Sequence, residues 1–160
     1  MFERTFVMLK PDAVARGLVG EIIGRIERKG LTIAAMRMEK LGRDIAESHY
    51  AEHRGKPFFE GLVEFVCSGP VVLMVVEGLS AISVVRKLVG KTAGVEAEPG
   101  TIRGDLAISN RYNLIHASDC RESAEREIRR FFGDEKGFEG MPERLRWIYN
   151  AAEIRGGERT

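Results

Sequence analysis

Val71-Val72-Leu73-Met74-Val75-Val76 follows the turn Ser68-Gly69-Pro70 and is apolar at every position. A strand wetted on one face alternates polar and apolar residues, whereas an unbroken apolar run is covered on both faces and lies inside its sheet. The chain is therefore read outward from a central strand near its middle.

Upstream, Thr5-Phe6-Val7-Met8-Leu9 is a second, nearly continuous apolar run, stopped by Pro11 in Lys10-Pro11-Asp12. A lysine at the end of a buried strand is held in a defined place that suits a phosphate; the alternative is a side chain that snorkels to solvent. Leu18, Val19, Ile22, Ile23 and Ile26 recur at helical spacing, Glu21 precedes Arg25 by four, and Gly30 is placed to cap the helix end. Residues 31–41 alternate loosely and form another strand, and Gly42-Arg43-Asp44 is a turn with Asp44 as candidate N-cap. Residues 45–67 read as two short helices broken at Gly55-Lys56-Pro57. After the break, Phe58-Phe59 is either a core pair or an exposed platform for a base. His49 and His53 are four apart and suggest a shared helix face, but no third ligand stands at a useful spacing, so a wet face is favoured over zinc.

Downstream, residues 80–89 form a helix, and residues 90–104, with Gly94, Pro99 and Gly100, make a long irregular segment. Arg86, Lys91, Thr92 and Arg103 gather around it, with Asp105 just beyond. Guanidinium forks and hydroxyls satisfy an anion with several oxygens; a merely solvated charged loop is the alternative. Asn113-Leu114-Ile115 supplies a fourth strand and leads into His116-Ala117-Ser118-Asp119. Asp119 is a candidate N-cap with Glu122 three residues on, and Ala124, Ile128, Phe131 and Phe132 give the helix over residues 120–132 an apolar face. His116 thus projects from a strand-to-helix junction, where an imidazole can serve as nucleophile, proton carrier or ligand; the alternative is a hydrogen-bonded core histidine beside an apolar run. Glu122 and Glu125 stand four residues before Arg126 and Arg129, the spacing of a solvated ion-pair ladder. Glu127 lies beside the apolar stripe, where it either turns inward to orient the imidazole or pairs with Arg130 at the boundary. Residues 133–140 are turn-rich, Pro142 starts a short segment ending at Trp147-Ile148-Tyr149, and the polar tail, residues 150–160, is expected to fray.

Strands and helices in the order βαββαβ imply an α+β sandwich of ferredoxin-like type, one four-stranded antiparallel sheet covered on one face by helices. A doubly wound parallel sheet is the competing layout. Residues 1–160 read as one domain. The composition, 44% apolar and 31% charged, is that of an ordinary globule, and a net charge of +1 offers no global attraction to nucleic acid or membrane. The two cysteines, Cys67 and Cys120, build neither a disulfide framework nor a zinc site. Met1-Phe2-Glu3-Arg4 runs into the first strand without a basic-then-apolar leader, so a cytoplasmic location is expected.

Four runs together carry a resemblance: residues 5–12, Arg16-Gly17-Leu18-Val19-Gly20-Glu21-Ile22-Ile23, Pro99-Gly100-Thr101-Ile102-Arg103-Gly104-Asp105 and Asn113-Leu114-Ile115-His116-Ala117-Ser118-Asp119. In this order they resemble nucleoside diphosphate kinase from about Arg4 to Phe132, with Trp147-Ile148-Tyr149 similar to the family's C-terminal end. The resemblance implies that His116 carries a phosphoryl group from a nucleoside triphosphate such as ATP to a nucleoside diphosphate. It implies that Glu127 and Ser118 orient the ring, with Tyr50 near it. It further implies that Lys10, Arg86, Thr92 and Arg103 contact phosphates, that Asn113 and Lys10 contact the sugar, and that Phe58 and Leu62 hold the base. Mg2+ is expected on the nucleotide phosphates rather than in a protein cage. A homohexamer or homotetramer is expected, with no membrane and no specific nucleic acid as partner.

Several positions depart from the family pattern. Ala117 stands where glycine is common, and Asn110 and Arg111-Tyr112 alter the base end of the pocket. Ala93-Gly94 replaces Asn-Pro in a loop that bears on subunit contacts, and Cys120 replaces a serine. A nucleotide-sensing or nucleic-acid-binding domain on a similar sheet, with His116 structural and binding without turnover, is the second reading, and an inactive assembly protein is the third.

Overall fold

The computed structural model describes residues 2–133 and 147–154. In chain order its elements are β1 (Phe2–Leu9), α1 (Pro11–Ala15), α2 (Val19–Arg28), β2 (Thr32–Lys40), α3 (Arg43–His49), α4 (Phe59–Cys67), β3 (Pro70–Leu79), α5 (Ala81–Val89), α6 (Ile102–Leu106), β4 (Ile115–Ala117), α7 (Arg121–Phe132) and α8 (Ala151–Ile154). The strands form one antiparallel sheet in the order β2-β3-β1-β4. Met74 of β3 sits opposite both Val7 of β1 and Met36 of β2, so the unbroken apolar run is the interior strand that its composition demands.

Helices cover both faces of this sheet, not the single face expected. Val7, Leu9, Val72, Met74 and Val76 pack with Ile22 and Ile26 of α2 and with Ala81, Val85 and Val89 of α5. The alternate residues Phe6, Met8, Val71, Leu73 and Val75 pack with Ala46 of α3, Val63 and Val66 of α4, and Phe131 and Phe132 of α7. The cause is already present in the strands. A strand with period-two geometry and no polar positions presents apolar side chains to both sides, and each side needs its own covering.

Local departures have local reasons. Pro11 ends β1 but also opens α1, because a first-turn residue has no intrahelical use for an N–H. The fourth strand begins two residues later than expected. Leu114 has φ +72, a left-handed conformation that no strand continues through, so pairing starts at Ile115 and His116 lies inside the strand, opposite Met8. Gly42 rather than Asp44 occupies the N-cap of α3, and Cys120 rather than Asp119 that of α7. Ala117 lies in β4 and is not among the residues of positive φ, so its methyl group brings no backbone strain. The turn-rich residues 134–140, the segment start at Pro142 and the tail beyond residue 154 lie outside the described residues. Tyr149 is docked, its hydroxyl donating to the Gly30 carbonyl at 3.2 Å and accepting from the Leu79 N–H at 3.4 Å. Residues 151–154, expected to fray, form a helical turn. Among the described residues no helix is long and apolar enough to cross a membrane.

Candidate active site

The site is organised by a tight turn immediately before β4. The Ile115 N–H donates to the Asn113 carbonyl at 2.8 Å across the left-handed Leu114, the geometry of a strained γ-turn. Such a conformation persists only where its surroundings over-determine it. The Leu114 carbonyl accepts from the Lys10 N–H at 2.8 Å, and the Leu114 N–H donates to Asp12 Oδ2 at 3.1 Å. Arg103 supplies the remaining clamp. Its guanidinium, buried beneath the turn, donates to the carbonyls of Asn113 (3.2 Å), Gly90 (3.3 Å) and Ile115 (2.5 Å). Gly90 reaches Arg103 from the end of α5 with φ +84, where an added Cβ would stand 2.5 Å from Thr101 Oγ1.

The turn delivers His116 to Glu127, one of the buried residues of α7. His116 Nε2 lies 3.0 and 3.1 Å from the two Glu127 oxygens, and the Ser118 hydroxyl donates to Glu127 Oε2 at 2.5 Å. The inward reading of Glu127 is therefore the one the fold adopts. A carboxylate facing Nε2 favours the tautomer with the proton there, which leaves the lone pair on Nδ1.

His49 stands beside this pair, its ring 4.6 Å from that of His116 and edge-on to it. The wet helix face expected for His49 and His53 is not formed. α3 ends at His49 and a 3-10 turn follows over Ala51–His53, so the i, i+4 spacing does not run along one helix. The His49 side chain is 1% exposed, and burial holds its imidazole well below the usual histidine range, with the neighbouring His116 adding to the effect. Ala46, His49 and Tyr50 are all buried, an i, i+3, i+4 stripe that was legible in the sequence.

These groups face a cavity of about 540 Å³. Lys10, Arg86, Thr92, Arg103 and Asn113 line it together with Phe58, Leu62, Tyr50, His116 and Glu127; Ser118 is not part of the lining and reaches the site through its bond to Glu127. Of the Phe58-Phe59 pair, Phe58 is 45% exposed and lines the cavity, whereas Phe59 is a buried core residue. The Tyr50 hydroxyl is buried without a partner among the described residues, and burial, then Glu127, hold the phenol above its usual range. Lys91 is exposed and is not part of the lining, and Asp105 pairs with Arg25 at 2.6 Å. His53, Glu52, Asp119, Ser123 and Arg126 also line the cavity; sequence reading gave none of them this role. Arg126, placed in an α7 ladder by its spacing, reaches across to Glu52 at 2.9 Å.

Lys10 Nζ donates to Asn113 Oδ1 at 2.8 Å. Burial, and secondarily the nearby Arg103 guanidinium, bring the Lys10 ammonium down to about 8. This folded-state value lies below the unfolded one, so burying the charge costs stability at every pH below about 8, and the cost fades as pH rises toward about 10.4. In the folded protein the ammonium itself gives up its proton at about pH 8. If the Lys10 charge holds the substrate, a pH profile of kcat/KM bends downward near pH 8, and a profile flat to about pH 9.5 would mean that the ammonium either keeps its proton through that range or is not used.

The sequence model of the nucleoside diphosphate kinase family matches residues 3–136. A nucleoside diphosphate kinase of Archaeoglobus fulgidus is 60% identical over 147 residues, covering 92% of this chain and 97% of its own length. That of Methanocaldococcus jannaschii is 60% identical over 139 residues, 87% of this chain and 99% of its own. Among solved structures, a halophilic nucleoside diphosphate kinase from Halobacterium salinarum in complex with CDP superposes with a TM-score of 0.90 at 47% identity, covering 93% of this chain and 99% of that one. With matches spanning nearly the whole of both partners, this chain belongs to the nucleoside diphosphate kinase family and is a nucleoside diphosphate kinase.

Proposed function

We propose that His116 is the phosphoryl carrier of this kinase and that Nδ1 is the nitrogen that attacks. The observation carrying this reading is the contact of both Glu127 oxygens with Nε2, which leaves the other ring nitrogen unclaimed in a cavity lined by Lys10, Arg86 and Arg103. In the first half-reaction the Nδ1 lone pair forms a bond to the γ-phosphorus, and the bond from that phosphorus to the β-bridging oxygen breaks. The electron pair leaves with the nucleoside diphosphate. The ring becomes a phosphorylated imidazolium whose Nε2–H faces Glu127, and the second nucleoside diphosphate reverses the step.

Lys10, Arg86, Thr92 and Arg103 receive the phosphate oxygens, and Arg103, with three of its five N–H groups engaged, keeps two for this purpose. Asn113 and Lys10 hold the sugar, and Phe58 with Leu62 holds the base by stacking and packing. A ring face suits every base, so broad specificity follows. Tyr50 and Ser118 are positioning residues, Ser118 through its bond to Glu127. Among the described residues the one cluster of three potential metal ligands is His49, His116 and Glu127. This nitrogen-rich set is unsuited to Mg2+, so the ion travels on the nucleotide phosphates, where it neutralises charge on the transferring oxygens.

Incubation with γ-labelled ATP and magnesium tests the reading. It requires an acid-labile, base-stable phosphoprotein that any nucleoside diphosphate discharges; a label stable to acid, or one that never forms, refutes it. Glu127→Gln should lower kcat by about 100-fold with KM nearly unchanged, because the group lost serves the charged ring rather than the substrate. A loss smaller than about threefold would remove Glu127 from the mechanism.

The same proposal treats residues 1–160 as one domain acting in the cytoplasm, where Cys67 and Cys120 are free thiols. It also includes self-association, as a hexamer or tetramer, through β2. That strand is an edge of the sheet, with Met36 and Met38 exposed by 55% and 57% on alternate positions. Sedimentation equilibrium returning a monomer at micromolar concentration would overturn the assembly.

A further inference from the structure

His49 has no role in the transfer described above, yet its placement is unusual. Its ring is enclosed by Phe6, Tyr50, Phe131 and His116. Neither ring nitrogen has a hydrogen-bond partner among the described residues. Nδ1 points at Glu127 Oε1 from 3.8 Å, too far for a hydrogen bond. Buried polar atoms are ordinarily paired, and an apolar side chain of similar volume would fill the space without leaving two nitrogens unsatisfied.

We propose that His49, His116 and Glu127 form a binding site for a borderline divalent transition-metal ion of the zinc class, and that the ion inhibits the kinase by occupying its phosphoryl carrier. One ligand atom from each residue lies within 4.8 Å of the other two. Four-coordinate zinc with bonds of about 2.0–2.1 Å sets its ligands about 3.4 Å apart. Glu127 Oε1 already lies 3.0 Å from His116 Nε2 and 3.8 Å from His49 Nδ1, on either side of that spacing. Closing the widest separation takes a side-chain movement of a little over about 1 Å. Two imidazoles beside a single carboxylate make a donor set that suits zinc rather than oxygen-seeking magnesium, and all three residues line the cavity, which leaves room for water at the fourth position. Binding at Nε2 releases its proton to solvent and draws Glu127 onto the ion, so the carboxylate no longer stabilises a charged ring. That consequence rests on the proposed role of His116; the binding itself does not.

Co2+ added to the nucleotide-free protein tests the binding directly. A visible d–d absorption of low-coordinate cobalt is expected, displaced by stoichiometric Zn2+ and untouched by excess Mg2+. His49→Gln should weaken cobalt binding by at least about tenfold, with folding checked by circular dichroism. Cys120→Ser and His53→Gln should keep the band. No band in the parent, a full band in H49Q, or a band lost in C120S or H53Q would each overturn the site. Labelling of His116 in the presence of Zn2+ then tests the consequence. Blocked labelling relieved by chelation supports it, and undiminished labelling at saturating Zn2+ overturns the inhibition.

Discussion

Replacing His116 by glutamine should abolish both half-reactions, with kcat/KM falling by roughly four to six orders of magnitude. Glutamine keeps much of the ring's bulk and can still meet Glu127, but its amide nitrogen has no lone pair free to bond phosphorus. The rest of the site survives the change: the γ-turn, Lys10, Arg103 and Asn113 are held by bonds that do not involve the imidazole. The variant should therefore bind nucleotide about as well as the parent while taking up no label. A direct transfer between two bound nucleotides predicts something different, because a site that merely juxtaposed them would keep much of its rate without a covalent carrier. Residual turnover within about 100-fold of the parent would point to that route and remove the ping-pong scheme. His116 lies at the sheet edge rather than deep in the core, so its replacement should shift Tm little, which separates loss of chemistry from loss of fold.

Much of this site is legible in the chain because it depends on short spacings. Lys10 follows an apolar run that has to be a buried strand, and Glu127 flanks the stripe of Ala124, Ile128 and Phe131 in a helix whose period is plain. Both end up against His116 or its turn. The parts that escape sequence reading depend on backbone conformation that side-chain pattern does not encode. The left-handed Leu114 is an ordinary apolar residue in the sequence, and its conformation moves the start of β4 past Asn113. The contribution of Asp12 is invisible for the same reason, since its carboxylate matters only because the Leu114 N–H has no strand partner. The burial of His49 is hidden by its spacing to His53, which implies a continuous helix, whereas the helix ends at His49. The covering of both faces is likewise a departure from the one-sided layout expected, although the unbroken apolar strands carry its cause.

Arg103→Met should be the most destabilising single change in the site. Arg103 was expected to serve phosphates, and its cavity position suits that task, but its first partners are three backbone carbonyls. Methionine can fill the volume but cannot donate, so the carbonyls of Asn113 and Ile115 lose a buried charged donor and that of Gly90 a partly buried one. Unpaired buried groups cost about 1–3 kcal/mol each. Relief of the buried guanidinium, whose pKa burial and then Arg86 bring down to about 10, offsets part of that sum. A net loss of about 2–4 kcal/mol follows. The same change frees the γ-turn from one of its clamps, and the left-handed Leu114 can then relax toward an extended conformation. Relaxation would carry His116 away from Glu127 and from the phosphates, and a misplacement of about 1 Å costs on the order of 100-fold in rate. Arg103→Lys separates the two roles. Lysine restores the charge but presents a single donor point, so it should recover part of the phosphate affinity while leaving most of the stability loss in place. Denaturant unfolding of both variants, read beside kcat and KM, provides the measurement. Equal stability of R103M and the parent would mean that the turn stands without its guanidinium, and that Arg103 acts on the nucleotide alone.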